Sequence, residues 1–292
     1  MKYIRHILAF FFGNSTGADC YNANASDKDN YSHCMDSAKK GNAVAQYLLG
    51  VMYDQGKGIP QDDKQAVEWF RKAATQGFAQ AQFNLGLMYD QGKGVTQDDK
   101  QAVEWFRKSA KQGDAGAQFL LGLIYGQGKG VTQDDKTAAK WFGKAAKQGV
   151  AEAQTNLADM YAKGQGVTQD NKQAVNWFRK AAKQGYSEAQ FELGSMYLEG
   201  QGVTKDDKKA VDWFSKAAKQ GLLDAHYALG CLYGAGQGVI QSHEIAHMFF
   251  SIVAEGGDIN AKEQEDLIAK KMTPAQIEQA QTLAQEWIAQ YK

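Results

Sequence analysis

Residues 42–77 read NAVAQYLLGVMYDQGKGIPQDDKQAVEWFRKAATQG, and the same pattern then returns five more times. Trp69, Trp105, Trp141, Trp177 and Trp213 stand 36 residues apart without a gap, as do Tyr53, Tyr89, Tyr125, Tyr161, Tyr197 and Tyr233. A fixed period of this length marks a stacked array in which each repeat is one supersecondary motif. Six repeats fill residues 42–257, about three quarters of the 292-residue chain.

Within the first repeat, Ala45, Leu49, Met52 and Tyr53 recur at helical spacing and predict an amphipathic helix A. Gly56-Lys57-Gly58 ends it, since glycine adopts the left-handed conformation that closes a helix without a Cβ clash. Asp62 precedes Gln65 by three residues, as Asp98 precedes Gln101 and Asp170 precedes Gln173. That spacing predicts an N-cap with a reciprocal partner at the start of a helix B. Ala66, Phe70, Ala73 and Ala74 form the buried stripe of helix B, widened by Val67 and Trp69, and Gly77 stops it. Helices of about a dozen residues are marginal alone, so the hairpins must stack to bury their apolar faces. The alanines and Gly50, Gly86, Gly122, Gly194 and Gly230 predict close helix approach, with the tryptophans supplying bulk. On that reading, truncating Trp141 costs roughly 3–5 kcal/mol.

The pattern A-x-A-Q-x-x-L-G-x-M-Y, then G-x-G-V-x-Q-D, then A-V-x-W-F-R-K-A-A-x-Q-G resembles the Sel1-like repeat, a relative of the tetratricopeptide repeat. The resemblance implies an all-α fold, a right-handed superhelical α-solenoid of helix-turn-helix repeats. It also implies a non-enzymatic adaptor that holds other proteins: some Sel1-like proteins serve in endoplasmic-reticulum quality control, and many bacterial ones act in the envelope or bind host proteins. The sixth repeat departs, with Phe249 at the Trp position and Ile252 at the Lys position. MTPAQIEQAQTLAQEW from Met272 resembles the family's closing helix, so residues 258–292 are expected to form a C-terminal capping helical segment.

At the other end, Lys2, Arg5 and His6 precede the apolar run Ile7 to Phe12, with Thr16, Gly17 and Ala18 behind it, so residues 1–18 read as a secretory signal peptide. Residues 19–41 would then form an N-terminal extension or cap. The expected location is periplasmic or secreted, with a cytoplasmic adaptor of the same fold as the alternative. A lipoprotein reading of Cys20 is disfavoured because Asp19 precedes it. In an oxidising compartment Cys20 and Cys34 are disulfide candidates, and closing about 15 residues contributes roughly 3 kcal/mol; in a reducing one they stay thiols. Cys231 stands alone within a helix.

Lysine plus arginine equals aspartate plus glutamate, 33 against 33. That balance lacks the basic excess that binding a nucleic acid requires. The N-terminal apolar run is far too short to span a bilayer, which excludes stable membrane insertion by it. The expected partner is a protein.

Comparing the repeats with one another locates where it would sit. On helix A the freest positions are 44, 48, 51 and 55, which share one face away from the core stripe. If helix A lines a concave side, this face meets an extended ligand. The early copies are largely apolar: Val44, Leu48 and Val51, then Gln80, Asn84 and Leu87, then Gly116, Leu120 and Leu123. The fourth and fifth turn acidic, with Glu152, Asn156, Asp159 and Lys163, then Glu188, Glu192, Ser195 and Glu199. A bipartite groove is expected, apolar first and acidic after, for a segment with apolar and then basic side chains.

Three motifs suggest chemistry instead. His243-Glu244-Ile245-Ala246-His247 fits H-E-x-x-H, in which two histidines one turn apart bind zinc and the glutamate is the base, making His243 and His247 weak metal candidates. The repeat register explains most of it, because Ala246 fills the alanine position and His247 that of Val67. Ser37-x-x-Lys40 resembles the nucleophile motif of penicillin-recognising enzymes, but neither S-D-N nor K-T-G follows. Certain cysteine-rich Sel1-like proteins are associated with penicillin binding, yet their disulfide in every repeat is absent here. Loops such as Gly92-Lys93-Gly94 lack phosphate-loop spacing and read as helix stops. A hydrolase, zinc-dependent or acting on β-lactams or cell wall, is therefore a distant alternative. No cofactor is expected.

Overall fold

The computed structural model describes residues 20–22 and 25–291, so the signal-peptide reading of residues 1–18 lies outside the described residues. Among the described residues all regular structure is helical. The helices are α1 (Asp27–Lys39), α2 (Ala43–Gln55), α3 (Asp63–Thr75), α4 (Ala79–Gln91), α5 (Asp99–Lys111), α6 (Ala115–Gln127), α7 (Asp135–Lys147) and α8 (Ala151–Lys163). They continue as α9 (Asn171–Lys183), α10 (Ser187–Glu199), α11 (Asp207–Ala218), α12 (Leu223–Ala235), α13 (His243–Glu255), α14 (Ile259–Ala269) and α15 (Pro274–Tyr291). The chain divides at Ala145/Ala146 into two compact blocks. In the first, each helix from α1 to α6 packs on the next; in the second the same holds from α8 to α14, and α15 lies on α13. This is the stacked hairpin architecture expected of an α-solenoid repeat.

The turn chemistry falls where the period places it. Gly56, Gly92, Gly164, Gly200 and Gly236 close helix A with φ near +65° to +73°. Helix B ends on a Schellman pattern, in which Gly77 at φ +93° is followed by Phe78, whose N–H donates to Ala73 O. Asp62 caps α3 by accepting from the N–H groups of Lys64 and Gln65. The reciprocal half of that capping box does not form. The Asp62 N–H donates instead to Tyr53 O at 3.0 Å, and Asp98, Asp170 and Asp206 do the same to Tyr89, Tyr161 and Tyr197. An orphan carbonyl at the end of helix A thus takes the donor that the box reserves for a glutamine.

The core is built on a phenylalanine and a glycine. Phe70, Phe106, Phe178 and Phe214 are each at most 2% exposed. The ring lies flat on helix A, so a Cβ added at Gly50, Gly86, Gly122, Gly194 or Gly230 would fall within 2.5–2.8 Å of it. The predicted close approach is therefore of ring to backbone. Trp69 is buried as expected, at 8% exposure, but the other repeat tryptophans hold a different place. Trp105, Trp141, Trp177 and Trp213 are half-buried, each roofed by the Lys three residues on, at 3.8–4.0 Å from Nζ to ring centroid. Phenylalanine supplies the bulk, and tryptophan seals the edge.

A buried polar ladder threads the stack. Gln46, Gln82, Gln154 and Gln190, each about 5% exposed, donate back to Ala38, Ala74, Ala146 and Ala182 O. Each accepts from a glutamine thirty residues on, namely Gln76, Gln112, Gln184 and Gln220, at 2.7–2.8 Å. Both hydrogen-bonding ends of each buried amide are thereby satisfied across an interface.

Two flanking helices keep the repeat register although their sequences depart from it. α1 aligns with α3, with Cys34 at the Phe70 position and Gly41, φ +95°, at that of Gly77. α14 aligns with α12, with Ala261 and Ile268 buried like Ala225 and Leu232. In front of α1, Cys20 and Cys34 form a disulfide, and the Asn30 amide ties the segment down by accepting from Asn22 N and donating to Asn22 O. α15 closes the other end. Its Trp287 packs on Phe249 at 5.2 Å, which buries Phe249 to 3% where the second to fifth repeats carry a half-buried tryptophan.

Candidate functional site

The face predicted on helix A is present in most repeats and closed in the first. Leu48 and Val51 are only 4% and 6% exposed, within the core cluster that also holds Cys20, Cys34 and Ala38. α1 and the disulfide-tied segment give the first repeat a covering that the period alone does not reveal. Leu48 and Val51 therefore leave the open stripe, and Val44 beside them is half-buried. Asn84, Leu87, Leu120 and Leu123 on α4 and α6 are half-buried. Of these, Leu87 and Leu120 pack against the core of the first block.

The acidic face lies in the second block. Glu152, Glu188, Glu192 and Glu199 are exposed, and Asp159 is half-buried and ion-paired with Lys163 at 2.8 Å. Ser187 Oγ donates to Glu188, and Gln201 Nε2 to Glu199. The Glu192 carboxyl is held above the usual carboxylate range, first by desolvation and then by Asp159, Glu199 and Asp224, with Lys163 opposing. Its side chain still reaches solvent, so the like charges around it add to the larger effect of desolvation. Asp224, on α12 at the same register as Val44, extends this face into the sixth repeat.

The H-E-x-x-H segment is absorbed by packing. His247 is 3% exposed, its Nε2 lies 3.7 Å from Glu265 Oε1 on α14, and desolvation holds its pKa below the ordinary value. Glu244 accepts from Ser242 Oγ and from Gln276 Nε2 of α15. His243 is half-buried at the first position of α13. Among the described residues no three His, Cys, Asp or Glu side chains gather as a metal site would need. Ser37 is half-buried in the last turn of α1, and Lys40 is the exposed residue that caps it. No helix among the described residues is long and apolar enough to cross a membrane.

The last histidine with a structural role is His226, which occupies the ladder position filled by glutamine elsewhere. Its Nδ1 lies 2.9 Å from Leu222 O, and Trp287 Nε1 donates to its Nε2 at 3.1 Å. A neutral ring with Nδ1–H donating satisfies both contacts. Desolvation keeps its pKa below the ordinary value. Sequence reading missed this substitution, although His in a column of glutamines was visible.

Comparison with known proteins agrees with the geometry. The Sel1 repeat matches six times in succession, at residues 43–78, 79–114, 115–150, 151–186, 187–222 and 223–258. The chain is similar to a Sel1 repeat protein of known structure from Oxalobacter formigenes, at 34% identity and TM-score 0.67, over 78% of this chain and 91% of that one. It is also similar to a protective antigen present in uropathogenic Escherichia coli strains that displays the same fold, at 29% identity and TM-score 0.51, over 91% of this chain and 80% of that one. Among curated proteins none matches significantly.

Proposed function

The chain belongs to the Sel1 repeat family, whose members generally act as protein-interaction scaffolds, and on that premise we propose that it is a non-catalytic adaptor whose second block grips a basic segment of a partner protein. The observation that carries this reading is the crowd of carboxylates around Glu192. Glu188, Glu192, Glu199 and Asp224 face outward from α10 and α12, and the Glu192 carboxyl is raised by desolvation first and by Asp159, Glu199 and Asp224 after it, with Lys163 opposing. Like charges held together raise the energy of the free protein, and a cationic partner relieves that repulsion on binding. Asn84, Leu87, Leu120 and Leu123 in the first block offer a separate apolar face for the same class of ligand.

The proposed location is periplasmic or secreted. Two observations support it: the charged and apolar pattern of residues 1–18, and the Cys20–Cys34 bond, which persists in oxidising compartments. A cytoplasmic adaptor is the second reading, favoured by the exposed, unbonded thiol of Cys231. N-terminal sequencing of the protein recovered from cells separates the two.

The test of function is a quantitative pull-down from lysate and envelope fractions, comparing the parent chain with Glu188→Lys, Glu192→Lys, Glu199→Lys. Loss of an enriched partner on the triple variant, with unchanged circular dichroism, supports an acidic binding face. Equal capture by both proteins removes it.

A further inference from the structure

The polar ladder breaks in the sixth repeat because Gly256 stands where Gln76, Gln112, Gln184 and Gln220 stand. Trp287 reaches in from α15 to supply the missing donor. A cavity of about 620 Å³ opens beside Gly256, lined by Phe191, Leu223, Asp224, Tyr227, Val253 and Asp258 among others. Volumes of roughly 300–1,000 Å³ are those of ligand pockets, so an aromatic side chain and its flanking backbone fit.

Two further features distinguish the place. The first position of helix A is Ala43, Ala79, Ala115, Ala151 and Ser187 in five repeats, but Leu223 in the sixth and Ile259 in the helix that follows. These two are 44% and 75% exposed, a large apolar rim where the rest of the array has small side chains. The charge of the lining is of one sign. Asp224 and Asp258 line the cavity, no lysine or arginine belongs to the lining, and beyond it Glu192, opposed by Lys163, and Glu263 add to the negative field.

Resting on the adaptor reading above, we infer that this cavity is the anchor site of the acidic face: it holds one bulky apolar side chain of a partner segment whose neighbouring residues are basic. The apolar wall of Phe191, Leu223 and Val253 takes the side chain. The carboxylates of Asp224 and Asp258 pair with the cations on either side of it. A buried anchor ringed by complementary charge is the common form of an interface hot spot.

Gly256→Gln tests the cavity, with unchanged Trp287 fluorescence and circular dichroism as the check that the Trp287–His226 contact is kept. Gly256 has φ −75° and ψ 0°, as Gln76 has −78° and 0°, and a Cβ there meets Val253 O at 3.2 Å and Leu223 Cδ1 at 3.5 Å. The variant restores the residue of the other repeats, and its side chain, starting in contact with Leu223, narrows the cavity at that wall. Asp224→Lys, on an exposed position, tests the charge. The probe is the fluorescent peptide Gly-Ser-Lys-Lys-Phe-Lys-Lys-Ser-Gly, read by anisotropy on the full chain, beside one peptide with Phe replaced by Ser and one with every Lys replaced by Glu. The parent is expected to bind the first peptide at least about tenfold more tightly than either counterpart, and each variant to weaken it about tenfold. Equal affinity for all three peptides, or no change in Gly256→Gln, overturns the site. Dimerisation of the parent that Gly256→Gln abolishes also overturns it, by assigning the cavity to a second copy. In the pull-down, partners lost on the triple variant but retained on Gly256→Gln overturn the cavity and leave the adaptor reading standing. Peptide binding that responds to Gly256→Gln, with no partner captured by the parent, sustains the cavity and removes the adaptor reading.

Discussion

Replacing Gly86 by alanine probes the contact on which each hairpin is built. A Cβ at Gly86 would lie 2.6 Å from Cε1 and 2.7 Å from Cδ1 of Phe106. Two effects oppose. Alanine favours the helix over glycine by about 1 kcal/mol, whereas forcing a methyl group into a filled core costs about 1–3 kcal/mol. Phe106 is 1% exposed and walled on another side by Phe83, at 5.9 Å between centroids, so the ring has little room to retreat. Overpacking should win, with a net loss of about 1 kcal/mol. The fourth repeat contains the natural counter-example. Ala158 fills the glycine register there, and Thr155 stands where the others have Tyr47, Phe83, Phe119, Phe191 and Tyr227. Without an aromatic wall, Phe178 has space to accept the methyl group. Phe83→Thr combined with Gly86→Ala should therefore be less destabilised than the sum of the two singles, by about 0.5–3 kcal/mol. Urea unfolding followed by far-UV circular dichroism gives the three midpoints, and amide exchange in α4 and α5 confirms that the effect is local. A higher midpoint for Gly86→Ala alone, or strict additivity in the double variant, would refute the ring-on-glycine argument.

Other consequences are as direct. Phe142→Ala should cost about 3–5 kcal/mol, and Trp141→Ala clearly less because that indole is half-exposed, a ranking that urea midpoints check. Cys34→Ser should lower the stability of the first block by roughly 3 kcal/mol under oxidising conditions, and reduced parent and variant should then melt alike. His226 and His247 both have folded pKa values below the ordinary one, so the unfolded chain binds more protons and stability should fall as pH drops through about 6.5. His226→Gln restores the glutamine of the other repeats and should flatten part of that decline in midpoints measured from pH 8 to pH 5. Lys93 bridges Asp54 at 2.6 Å and Asp63 at 3.3 Å, with all three side chains about a third exposed. Lys93→Ala should cost at most about 1 kcal/mol, and a loss that does not shrink in high salt would contradict an ionic origin.

The parts of this fold that were legible in the sequence are those fixed within one repeat. Glycine at the end of helix A, aspartate at the start of helix B and the alanine stripes each act on residues a turn away, so the pattern carries them. Tryptophan misled because size was taken for depth. Phe106 and Trp105 are adjacent in sequence, and only the geometry of the hairpin shows that one points at Gly86 while the other lies half-buried beneath Lys108. Positions 44, 48, 51 and 55 do share one helical face, but in the first repeat Leu48 and Val51 are covered by elements outside the period. α1 and α14 kept the register while changing the residues that announce it: Cys34 replaces a phenylalanine, and Asp266 stands in the register of Gly230. The cavity beside Gly256 went unread because residues of several helices line it, and its signals were one glycine in a column of glutamines and Leu223 in a column of small residues.

The glutamine ladder also has a direction. Within each block the donor always comes from the later repeat and the acceptor from the earlier, as Gln76 to Gln46 and Gln220 to Gln190 show. A whole 36-residue segment brings one of each, so duplication or excision in the interior leaves every amide matched. Cutting the array elsewhere strands a buried acceptor that only a feature such as Trp287 can satisfy. Array length in such a protein is therefore free to drift in whole steps over evolutionary time while its two ends stay fixed, and a designer who wishes to lengthen it should insert in the middle and leave α15 untouched.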